Sequence, residues 1–119
     1  MKEQTKMTDE TSDELTPAYL RKIAEEANRK KKSLLEKTVY QCVEDNVNAI
    51  NDLLTMMAKK GYYEMSSPIN IYDKKYTVNI DESDTTEFAD AVIKNLKSIY
   101  VKRGFKVPDI QSNYFKLGW

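Results

Sequence analysis

The sequence predicts an α+β domain in which a long N-terminal helix and a second helix pack on a small, mostly antiparallel sheet. Three observations lead there. Residues 16–60 form an uninterrupted helix-grade stretch, opened by Thr16-Pro17 and closed by Lys59-Lys60-Gly61. Residues 84–104 carry a second amphipathic pattern between an acidic start and a glycine stop. Short alternating apolar and polar runs lie between and after them, ending in Tyr114-Phe115-Lys116-Leu117-Gly118-Trp119.

Residues 1–15 set Glu3, Asp9, Glu10, Asp13 and Glu14 against Lys2 and Lys6, with few apolar side chains, and read as a mobile acidic tail. Thr16 is a good N-cap, and Pro17 suits the first helical position, where its missing N–H costs nothing. The helix carries two stripes. The first, Leu20, Ile23, Ala24 and Ala27, is narrow and built partly of small residues, which suits a self-association arm. The second is wider: Leu35, Val39, Cys42, Val43, Val47, Ile50, Leu53, Leu54 and Met57 recur at spacings of three and four and face a core. At about 1.5 Å per residue such a helix would run to roughly 65 Å, more than twice the width of a compact domain of this length. It therefore either breaks in the basic run near residues 29–33 or packs its free end on another copy or a partner. The expected organisation is a tail (1–15), a helical arm (16–34) and a compact α+β domain (35–119).

Gly61 can take the left-handed position after the helix, with Lys59 and Lys60 favourable at its negative end. Tyr62-Tyr63-Glu64-Met65 reads as a short strand entering a turn at Ser66-Ser67-Pro68. Ile69, Ile71, Val78 and Ile80 alternate around Asp73-Lys74-Lys75 and predict a β-hairpin over residues 69–80. Asp84-Thr85-Thr86-Glu87 resembles a capping box ahead of Phe88, Ala89, Val92, Ile93, Leu96, Ile99 and Tyr100, and Lys102-Arg103-Gly104 ends that helix. Residues 105–107 and 114–119 are expected as two more strands, with Phe105, Val107, Phe115, Leu117 and Trp119 sharing one face.

Composition narrows function more than it identifies it. With 19 basic and 19 acidic residues in 119, the formal net charge is zero, so no global pull toward nucleic acid or acidic membranes is expected. The chain has no histidine, which removes the commonest general base, the Ser-His and Cys-His pairs and most zinc sites. Three glycines leave no phosphate-cradling loop. The single cysteine, Cys42, lies on the apolar side of the helix and reads as a core residue in a reducing compartment. Without a hydrophobic leader or a run of about 20 apolar residues, the expectation is a cytoplasmic protein without a membrane anchor. No enzyme, cofactor or metal site is expected.

Four groups of residues are candidate sites. Arg29, Lys30, Lys31 and Lys32 could contact phosphates or an acidic partner; four consecutive helical residues also spread around the circumference, as in a solvated segment, and that is the favoured alternative. Tyr72, Lys74, Lys75 and Tyr76, at the tip of the expected hairpin, could stack and neutralise a small anionic ligand; an ordinary polar turn is again favoured. Leu20, Ile23, Ala24 and Ala27 are the expected self-association surface. The acidic group Asp81, Glu82, Asp84, Glu87 and Asp90 could hold Mg²⁺ or Ca²⁺, but helix N-termini attract carboxylates for dipole reasons alone.

The progression from a lysine-rich helix through Lys59-Lys60-Gly61-Tyr62-Tyr63, to a helix ending Arg103-Gly104-Phe105-Lys106-Val107, to a last strand closing on Trp119 resembles the small accessory proteins of bacteriophages and large DNA viruses. The 69–80 insertion and the acidic tail depart from the shorter version, and no site residue transfers. The resemblance implies a viral origin in the host cytoplasm and roles such as inhibiting host defence enzymes or sequestering nucleotide signals. The expected function is thus a non-catalytic binding protein, an inhibitor or scaffold, with itself and an unidentified host or viral protein as partners. The alternatives are an oligomeric sponge for a nucleotide or cyclic nucleotide and, less favoured by the charge balance, a nucleic-acid-binding accessory protein.

Overall fold

The computed structural model describes residues 15–107, 110–111 and 114–119. The expected acidic tail lies outside the described residues, apart from Leu15. The chain divides into two units, Met1–Ser33 and Leu34–Trp119. The elements in order are helix α1 (Pro17–Lys59), strand β1 (Glu64–Pro68), the short helix α2 (Lys74–Thr77), a 3-10 turn (Glu82–Asp84), helix α3 (Thr85–Lys102), and strands β2 (Ile110–Gln111) and β3 (Tyr114–Gly118).

α1 is one helix of 43 residues, without a break in the basic run. Thr16 caps it as its composition demands: its hydroxyl accepts from the Tyr19 N–H at 3.2 Å, and its carbonyl accepts from the Leu20 N–H at 3.0 Å. The other end closes in a Schellman turn. Gly61 sits at φ +89°, its N–H donates to the Ala58 carbonyl at 2.9 Å, and the Tyr62 N–H donates to that of Met57 at 3.1 Å. α3 ends the same way, with Gly104 at φ +91°, its N–H on the Val101 carbonyl and the Phe105 N–H on that of Tyr100, both at 3.0 Å. The Phe105 ring meets the Tyr100 ring edge-on at 5.5 Å, the apolar contact that accompanies such turns.

The unit formed by residues 34–119 is α+β, as the sequence predicts. Its sheet is antiparallel throughout, in the order β1-β3-β2. β3 is therefore central. Its Phe115 and Leu117 point inward beside Met65 and Ser67 of β1, while Tyr114, Lys116, Glu64 and Ser66 face out. Against the inner face lie Cys42, Val43, Ile50 and Leu54 of α1 and Phe88, Ala89, Val92, Leu96 and Tyr100 of α3, in one core. Tyr100 joins all three layers: its ring packs on Phe115 at 5.6 Å, and its hydroxyl donates to Asn51 Oδ1 of α1 at 2.8 Å.

Several local expectations are corrected. No hairpin forms over residues 69–80. Ile69 and Ile71 do alternate inward, but as an unpaired extended segment, and the chain then turns helical at Lys74–Thr77. The cause is Asp73, whose carboxylate caps that turn by accepting from the Lys75 N–H at 3.1 Å. The turn buries Tyr76 to 2% exposure and leaves Val78, an expected inward residue, 78% exposed. Ser66-Ser67-Pro68 is not a turn but the end of β1, where Pro68 is tolerated because β1 is an edge strand. Residues 105–107 contribute a single bridge, Lys106 to Gly118, rather than a strand. Asp84 makes no side-chain cap to α3; the 3-10 turn leads in instead, with the Thr85 hydroxyl donating to the Glu82 carbonyl at 2.9 Å. Trp119 lies at the rim, 36% exposed, its N–H donating to the Tyr63 carbonyl at 2.9 Å.

Candidate functional site

The first candidate is the N-terminal stretch of α1. Every residue from 17 to 34 is exposed, and the buried residues of the helix begin at Thr38. Leu20 and Ile23 each keep 49% of their surface in water, with Tyr19 and Leu34 similarly open. At a rotation of about 100° per residue, Leu20, Ile23, Ala24 and Ala27 fall in one stripe roughly 100° wide. The two alanines keep the stripe low, so another helix could approach closely. Long charged side chains surround it. Arg29 and Lys30 both lean on Glu26, at 3.7 and 4.0 Å, contacts at exposed positions that contribute little to stability. Arg29, Lys30, Lys31 and Lys32 are all exposed and, being consecutive, point in four directions around the helix.

The expected ligand site at Tyr72, Lys74, Lys75 and Tyr76 is rearranged by the loss of the hairpin. Tyr72 and Lys74 are exposed. Tyr76 turns inward, tilted against the Phe88 ring at 6.4 Å, and its hydroxyl donates to Asp45 Oδ2 at 2.6 Å. Lys75 lies over the Tyr76 ring, 5.2 Å from its centroid, with its ammonium 3.8 Å from the same carboxylate. The two tyrosines therefore do not flank the two lysines as a stacking pair. What forms instead is a polar bracket between α1 and α2. Gln41 completes it by donating to Asp45 Oδ1 at 2.9 Å. Beside it opens a cleft of about 330 Å³ bordered by Lys37, Thr38, Asp45, Lys75 and Asn79.

The hydrogen bond from Tyr76, aided by Gln41 and Lys75 and opposed by partial burial, holds the Asp45 carboxyl below its ordinary value of 3.8. Burial, and then the Asp45 carboxylate, push the Tyr76 phenol well above the usual tyrosine range. The contribution of Asp45 to stability is present above 3.8 and is lost as pH falls through the lower folded value. Tyr76→Phe should raise the Asp45 titration midpoint in carboxyl NMR and cost about 1 kcal/mol at pH 7, an amount reduced by the partial exposure of the carboxylate. An unmoved midpoint would separate Asp45 from Tyr76.

A second bracket, one residue further along α1 and so about 100° around it, has no counterpart in the sequence-based expectations. The Asn46 side-chain amide donates to the Cys42 carbonyl at 2.8 Å and to the Asn70 carbonyl at 2.9 Å, while its Oδ1 accepts from the Asn70 N–H at 2.9 Å. Both backbone groups of Asn70 are thus bound by one side chain. The Cys42 thiol adds a weak contact to the same carbonyl at 3.4 Å, and burial pushes that thiol up to about 11, so it is inert. The only signal in the sequence was a polar residue on the apolar face between Cys42 and Ile50.

An apolar groove of about 480 Å³ runs between the two long helices, walled by Leu35, Val39 and Val43 on one side and Ala91 and Ile99 on the other, with Glu36 and Glu87 at its rim. The carboxylates near the start of α3 do not converge on a metal: among the described residues, no three of His, Cys, Asp and Glu form a metal-holding group. No helix among the described residues is long and apolar enough to cross a membrane. No protein-family model, curated protein or solved structure matches the chain.

Proposed function

We propose that this chain is a non-catalytic protein-binding module, an inhibitor or scaffold, that works as a self-associated pair through the stripe Leu20, Ile23, Ala24 and Ala27. The observation that carries this is that every residue from 17 to 34 is exposed within a helix that nonetheless bears an apolar stripe. Local propensity accounts for the helix, since Ala, Leu, Glu, Lys and Arg dominate the segment. It does not account for the stripe. A solvated helical spacer would be polar all round, whereas clustered apolar side chains are the mark of a contact surface. A binding role is further supported by the polar clusters, because Asp45, Tyr76 and Asn46 are engaged in holding α1 to the 70–76 segment.

Magnitudes set the strength. Removing the remaining water contact of Leu20 and Ile23 contributes about 1 kcal/mol per side chain, about 4 kcal/mol over two copies, whereas a Kd on the order of micromolar needs about 8 kcal/mol net of the entropy of association. Half-exposed Tyr19, the alanines and the stems of the flanking lysines and arginines must supply the remainder. Leu20→Asp combined with Ile23→Asp should turn the protein into a monomer and leave its unfolding transition within about 0.5 kcal/mol of the native monomer, because both sites are exposed. Light scattering coupled to gel filtration, with near-ultraviolet dichroism as the folding control, checks both. An unchanged mass would move the association surface elsewhere.

A further inference from the structure

Resting on the self-association just proposed, we infer its geometry: two copies pair antiparallel about a two-fold axis between Ile23 and Ala24, with Leu20 packed on the partner's Ala27 and Ile23 on the partner's Ala24. A two-fold contact must be self-complementary, each residue facing a residue that faces it in return. The stripe has this property in one orientation. Antiparallel, each large side chain meets a small one, so the helices keep an even spacing along the seam and fill it. In parallel, Leu20 meets Leu20, Ile23 meets Ile23 and Ala27 meets Ala27. The axes would then have to stand apart at one end while the alanines leave a gap at the other.

Charge selects the same orientation. Arg29, Lys30, Lys31 and Lys32 follow the stripe within about one and a half turns. A parallel pair would set both basic runs side by side at the roughly 8–10 Å spacing of packed helices, about one Debye length at physiological salt. Glu26 is shared between Arg29 and Lys30 of its own helix, at 3.7 and 4.0 Å. Antiparallel pairing centred on Ile23 and Ala24 sends the two runs to opposite ends of the seam, about 20 Å apart along the axis and beyond the range of screened repulsion.

The test is a single spin label at Ser33→Cys in the full chain, read by double electron–electron resonance. Ser33 is exposed and helical, while native Cys42 is 0% exposed and stays unlabelled. The antiparallel pair places the two labels about 30 Å apart or more, and a parallel pair holds them near 20 Å. Lys32→Cys should give the same ranking, and adding Leu20→Asp with Ile23→Asp should abolish the dipolar signal at either position. A dimer with the short distance would overturn the antiparallel geometry and leave self-association standing. A protein that remains monomeric at hundreds of micromolar would overturn both.

Discussion

Phe115→Ala is expected to remove about 3–5 kcal/mol, a large part of the roughly 5–15 kcal/mol that holds a domain of this size. Phe115 is fully buried, and β3 is the strand on which β1 and β2 both depend. The Tyr100 ring, 5.6 Å away, would lose its partner while its hydroxyl stays tied to Asn51, so the cavity could not collapse from that side. Urea unfolding monitored by tyrosine fluorescence should show a midpoint well below that of the native protein, or no folded baseline. A loss under 1 kcal/mol would mean that the last strand is dispensable to the core.

The second large effect is expected at Asn46. Asn46→Ala removes the donor and acceptor that satisfy both backbone groups of Asn70 and leaves the Cys42 carbonyl with less help. An unmet buried polar group costs about 1–3 kcal/mol, and the partial exposure at Asn70 lets water recover some of this, so the net loss should be about 2–3 kcal/mol. A fall in Tm on the order of 10 °C follows. Asn46→Leu should lose as much despite its added apolar surface. If Asn46→Leu proved stabilising, the bracket would be a tolerated polar pair and not a fastening of the 69–73 segment to α1.

How much of this was legible in the sequence depends on whether the cause is local. The two long helices were, because their apolar periods repeat over many turns and each ends on a glycine that supplies the positive φ of a Schellman turn. The burial of Cys42, Ile50, Val92 and Leu96 follows from the same periods. Residues 69–80 were misread because Ile69, Ile71, Val78 and Ile80 satisfy a period of two, while a single carboxylate, Asp73, decides that the chain turns helical and carries Tyr76 inward. That outcome depends on Asp45 and Phe88 being present to receive the tyrosine, which no local pattern encodes. Ser66-Ser67-Pro68 looked like a turn from composition alone; its strand character comes from pairing with residues 114–116, far along the chain. The exposed stripe was visible in the sequence as a narrow apolar face, but its exposure required knowing where the core of residues 34–119 begins.

The central claim, that residues 17–34 carry an apolar stripe because two copies of the chain meet there, is tested most directly by the mass of the native protein in solution. Light scattering across a gel-filtration peak should report twice the chain mass of 13.8 kDa at tens of micromolar, declining toward one chain on dilution through the micromolar range. A mass of 13.8 kDa at every concentration up to hundreds of micromolar would contradict it.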